Sequence, residues 1–132
     1  MPVLNLTRKT WLATTVRKAD HFLTRLVGLL RRNKLGPEEA LWLIPSKGVH
    51  TIGMKFPIDV IFLDQSNKVV ATACGMPPYR LSRVHLKARS VLELPPGTIQ
   101  KSTTIVGDQL EILLAESSDM DDLKETLLNR IA

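Results

Sequence analysis

The chain has 132 residues, 44% hydrophobic and 23% charged, with three histidines, one cysteine and a formal net charge of +5. That length suits one compact domain able to bury a core without metal or disulfide, and the lone Cys74 cannot form an internal disulfide. No run is apolar and long enough for a membrane-spanning helix.

The opening "VLNL" and "WLATTV" are rich in strand formers, and the charged "TRK" between them reads as a turn, so a β-hairpin is expected. From Asp20, apolar residues at 22, 23, 26, 27, 29 and 30 follow helical period. Asp20 suits the N-cap of this helix, and Arg31, Arg32 and Lys34 suit its negative end before Gly36-Pro37 stops it. "ALWLIP" reads as a strand ended by Pro45. "IDVIFLD" and "KVVATAC" read as two strands joined by "QSN". The first is apolar on both faces except at Asp59, which is the pattern of a central strand covered on each side.

The prolines of "GMPPY" break the strand pattern. "SVLELP" is another strand, "PGTIQKSTTIVGD" a loop with one helical turn, and "QLEILLAE" the last strand. Residues 118–132 read as a C-terminal helical extension to a single domain over residues 1–117, capped by Ser118 or Asp119. The fold expected is mainly β (β-rich α+β), a compact barrel or sandwich. One helix is inserted near residues 20–32 and covers its open side.

Four motifs occur in order: "GLLRR" at 28–32, "HTIGMKFPIDVIFLD" at 50–64, "VLELPPG" at 91–97 and "GDQLEI" at 107–112. Together they resemble the domain of unknown function 192 family, also called uncharacterised protein family 0127, over about residues 10–115. The resemblance implies a sandwich-like or jelly-roll-like β domain with a helix near its start, and it brings no activity with it. Many members carry a tryptophan, or a cysteine shortly before the histidine, where this chain has Ser46, Lys47 and Gly48. Thiol chemistry in that loop is therefore absent here. Many members also begin with a secretory or lipoprotein leader. The start "MPVLNLTRKTW" has neither an apolar h-region nor a small-residue cleavage site, so a cytoplasmic location is expected.

The segment from His50 to Pro57 buries little yet spends a histidine, threonine, glycine, methionine and proline. His50, Thr51 and Asp59 form a constellation that could serve as acid and base around a ligand. Each also has a structural reading: His50 and Thr51 bonding loop backbone, and Asp59 accepting backbone N–H groups. The leading functional expectation is a small non-catalytic domain binding a polar small molecule or saccharide. Its candidate contacts are His50, Thr51, Met54, Asp59, Met76 and Arg80. Met54 and Met76 also read as core filler.

The charge suggests a second reading. Residues 1–34 hold eight cationic side chains against Asp20 alone, and "YRLSRVHLKAR" holds Arg80, Arg83, Lys87 and Arg89 with no acid. A basic face of Arg25, Arg31, Arg32, Arg80, Arg83 and Lys87 would meet nucleic acid or an acidic protein. Only Tyr79 is placed to stack on a base. A hydrolase or transferase using His50 and Asp59 is the third reading. None of the paired spacings that mark zinc occurs, so no metal and no cofactor is expected. The expected state is a monomer.

Overall fold

The computed structural model describes residues 2–19, 38–49, 51 and 56–113. The helix read over 20–32 and the C-terminal helix from 118 lie outside these residues, as do His50, Met54, Arg25, Arg31 and Arg32. The described elements are β1 (Val3–Asn5), β2 (Thr10–Ala13), β3 (Thr15–Ala19), β4 (Glu39–Leu43), β5 (Ile58–Leu63), β6 (Val69–Met76), β7 (Ser90–Leu94), helix α1 (Thr98–Ser102) and β8 (Leu110–Ile112). No described helix is long and apolar enough to cross a membrane.

Two sheets form. The smaller has order β2-β1-β8 and the larger β3-β4-β7-β5-β6. They are not closed into a barrel, so the mainly β expectation resolves to a β-sandwich-like arrangement. The expected hairpins are present: β1 pairs antiparallel with β2 and β5 with β6. "WLATTV", however, is two strands. At Thr14 the chain bends from one sheet into the other, and the amides of Thr14 and Thr15 both donate to the Glu38 carbonyl, at 2.8 and 3.2 Å. That turn of the backbone lets β3 run parallel to β4, with Thr15 opposite Glu39 and Ala19 opposite Leu43.

Strand alternation divides the core. On β5 the side chains of Ile61 and Leu63 join Leu92 and Leu94 of β7, Val3 of β1, Leu12 of β2, Leu110 of β8 and Ile99 of α1 in one cluster drawn from both sheets. Ile58, Val60 and Phe62 point the other way, into a cluster with Leu41, Leu43, Val91, Met76 and the loop residues Val49, Phe56 and Ala88. Successive strand residues face opposite sides, so β5 is apolar except at Asp59 because both its faces are covered. All six of its residues are buried.

Candidate functional site

Asp59 is the one acid on β5 and is 1% exposed. Opposite it, β6 carries an extra residue: Ile58 pairs with Met76 and Val60 with Ala73. This bulge places Gly75 with φ of 61° across from Asp59. The Gly75 amide donates to Asp59 Oδ1 at 2.8 Å. The other oxygen, Oδ2, receives the amides of Gly97 at 3.1 Å and Ile99 at 2.9 Å. Gly97 is the N-cap of α1, with φ of 93° and no side-chain cap of its own. A carboxylate from a distant strand thus satisfies the amides that a helix start leaves open, and one buried charge is met by three charge-assisted bonds.

Cys74 sits beside Asp59 in the same bulge and is exposed. Desolvation first, and the Asp59 charge second, push its thiol above the ordinary value. A thiol so placed is a poor nucleophile at neutral pH.

Thr51 is fully buried. Its hydroxyl donates to the Pro77 carbonyl at 2.7 Å and accepts the Arg80 amide at 2.8 Å. Its backbone amide donates to the Arg80 carbonyl at 2.8 Å, and its carbonyl accepts the Tyr79 amide at 3.0 Å. Further bonds extend this seam. The Ser82 amide donates to the Val49 carbonyl at 2.9 Å, the His85 amide to the Lys47 carbonyl at 2.9 Å, and the Ser46 amide to the Arg89 carbonyl at 2.7 Å. Residues 46–49 and Thr51 therefore fasten the 79–89 run along its length although neither is a strand.

The run is anchored at every third residue. Ser82 accepts the Val49 amide on its Oγ at 2.8 Å. The His85 ring packs on Phe62 with centroids 4.3 Å apart. Ala88 is buried in the core cluster around Phe62. Between the anchors stand three exposed pairs, each one cation and one aliphatic: Arg80-Leu81, Arg83-Val84 and Leu86-Lys87. Leu81, Val84 and Leu86 are 74%, 67% and 80% exposed, and Tyr79 ahead of them is 64% exposed. Among the described residues none of these cations has an ion-pair partner, whereas Arg8 pairs with Asp108 at 3.1 Å.

The residues singled out in the sequence are thus distributed over three environments. Thr51 and Arg80 are bonded directly to each other. Asp59 is tied to Gly75, Gly97 and Ile99, and Met76, next to Gly75, packs in the core. Arg80, Arg83 and Lys87 are exposed on one fastened run. The exposed aliphatic partners Leu81, Val84 and Leu86 were not picked out in the sequence; the three-residue spacing of Ser82, His85 and Ala88 was the available signal. Among the described residues no three His, Cys, Asp or Glu side chains gather as metal ligands.

The fold is a two-sheet β domain carrying a fastened, outward-facing loop. Residues 3–112 match the DUF192 family, described as Uncharacterized ACR. The UPF0127 protein PF1050 of Pyrococcus furiosus is 35% identical over 115 residues, covering 83% of this chain and 96% of that one. The UPF0127 protein PYRAB11210 of Pyrococcus abyssi is 34% identical over 102 residues, covering 73% and 84%. The chain belongs to this uncharacterised DUF192/UPF0127 family. A crystal structure of a protein of unknown function from Novosphingobium aromaticivorans shares the fold, with a TM-score of 0.69 and 22% identity over 85% of this chain and 84% of that one.

Proposed function

We propose that this is a non-catalytic interaction domain whose 79–89 run docks an acidic, amphipathic segment of a partner protein. The observation that carries it is the threefold repeat of exposed cation and aliphatic, with no carboxylate among them. Exposed apolar side chains placed singly are ordinary, but four on one short run mark a contact surface. A partner strand alternating acids with aliphatics would neutralise Arg80, Arg83 and Lys87 while covering Leu81, Val84 and Leu86. Tyr79 is the sole exposed aromatic on the run, since the His85 ring packs on Phe62. Base stacking therefore contributes less here than apolar contact does, which favours a peptide over a nucleic acid.

Tyr79 adds support of another kind. It is an exposed, bulky residue held at φ of 60°, where glycine or asparagine would sit without strain. Strain kept at a solvent-facing aromatic fits a contact residue. In this reading Thr51 and Asp59 are frame residues, because their polar atoms are engaged by backbone.

The test is fluorescence anisotropy of the full chain with a labelled twelve-residue peptide alternating Leu and Glu, against a scrambled Ser/Glu peptide and a twelve-nucleotide RNA. Binding of the Leu/Glu peptide that falls at least tenfold in the L81S/V84S variant supports the proposal. Equal binding of the Ser/Glu peptide, or preference for the RNA, overturns it and leaves a purely electrostatic surface.

A further inference from the structure

A cleft of ≈ 270 Å³ opens beside the end of the docking run, lined by Pro45, Ser46, Lys47, Gln65 and residues 86–89. Three of its lining residues, Lys47, Lys87 and Arg89, are cationic, and none is acidic. The nearest acid in sequence, Asp64, is turned to its own loop, where its Oδ1 accepts the amides of Ser66 and Lys68 at 2.8 and 2.9 Å. The geometry points to a site for a phosphate dianion, free or as the terminal group of a small phosphomonoester.

Two features carry this beyond a chance grouping of surface charge. First, the walls are fixed. The Ser46 amide holds the Arg89 carbonyl at 2.7 Å, and the Arg89 amide holds the Leu63 carbonyl at 2.7 Å. Lys47 Nζ is docked on the Leu86 carbonyl at 2.6 Å, which parks its ammonium at the rim instead of leaving it free to swing away. Second, Lys47, Lys87 and Arg89 put three like charges on the residues of one concavity, and among the described residues no carboxylate lines it. A dianion offsets that charge and gains charge-assisted bonds, with the Arg89 guanidinium able to grip two oxygens at once. Ser46 and Gln65 add neutral groups at the same opening. The cleft holds a phosphate with a short substituent and is small for a nucleotide, since pockets for larger ligands start near 300 Å³.

The cleft shares Leu86 and Lys87 with the peptide surface, but Ser46, Lys47, Gln65 and Arg89 lie outside the three exposed pairs, so the two readings can fail separately. The experiment is a ¹⁵N–¹H titration of the full chain at constant ionic strength with inorganic phosphate, glycerol phosphate and chloride. Saturable shifts confined to residues 46, 47, 65 and 86–89 with phosphate and not chloride are expected. Affinity should fall at least tenfold in R89Q, with the R89K variant recovering part of it. Tighter binding of glycerol phosphate would assign the site to a phosphomonoester, and equal binding to free phosphate. Chloride shifts of the same size, or an R89Q titration matching the parent, would overturn the site, whatever the Leu/Glu peptide does.

Discussion

Asp59 and Gly97 are joined by a 3.1 Å hydrogen bond from the Gly97 amide to the Asp59 carboxylate, which ties the start of β5 to the head of α1. With the Gly75 and Ile99 amides on the same carboxylate, this side chain fixes the β6 bulge and the helix start together. Removing it leaves three backbone donors without this partner, the Ile99 amide buried and the Gly75 and Gly97 amides part-buried. D59A should therefore lower unfolding stability by about 2–4 kcal/mol. D59N should cost about 1–3 kcal/mol, because its amide keeps one acceptor but turns an NH₂ toward donors. Urea denaturation measures both. A D59A protein within 1 kcal/mol of the parent, on the order of an ordinary surface change, would remove Asp59 as a structural hub.

The Thr51 hydroxyl has a more local duty. T51V keeps the shape and loses the bonds to the Pro77 carbonyl and the Arg80 amide. A loss of about 1–2 kcal/mol is expected, with amide exchange at Arg80 accelerated far more than at β5. T51S should restore protection. Uniform acceleration across the chain would mean that the hydroxyl supports the whole fold and not the docking run alone.

What the sequence made legible follows from range. The β1-β2 and β5-β6 hairpins are local, and alternation with turn residues suffices to read them. The burial of β5 on both faces was likewise visible in a run that is apolar except at Asp59. That Asp59 accepts backbone N–H groups was legible, but which ones was not, because Gly97 and Ile99 lie far along the chain, just beyond the neighbouring β7, and contribute only backbone. The break at Thr14 also escaped, since threonine and valine favour strands on either side of it and the bend depends on the Glu38 carbonyl. The exposed pairs of the 79–89 run depend on anchors to residues 46–49, Thr51 and Phe62, contacts that no periodicity of strand or helix encodes.

Tyr79 separates stability from binding. Glycine takes φ of 60° freely, while Tyr79 does so at a cost of about 1–2 kcal/mol. Its side chain is largely exposed, so little packing is lost on removal. Y79G should unfold no more easily than the parent, to within about 1 kcal/mol once the greater freedom of the unfolded glycine is included. The same variant should weaken the Leu/Glu peptide several-fold. Unchanged peptide binding in Y79G would detach the tyrosine from the docking surface.

Acid should attack the molecule at Asp108, which is 2% exposed on the loop before β8. Burial by itself raises its carboxyl, but bonds from Asn5 Nδ2 and the Ile105 amide, with the Arg8 guanidinium, outweigh it and hold the group below its ordinary value of 3.8. Asn5 also donates to Thr104 Oγ1 at 3.0 Å, so the network pins the first hairpin to the loop that precedes the last strand. A carboxylate whose folded value is depressed stabilises the fold fully at pH above its unfolded value. That contribution is lost as the pH falls through the ordinary value toward the folded one. The parent's urea midpoint should therefore drop below about pH 4, with a slope from this one group of at most about 1.4 kcal/mol per pH unit. D108N should be weaker at neutral pH and flatter on acidification. A D108N curve parallel to the parent's from pH 7 to about pH 3 would place the acid sensitivity in other carboxylates.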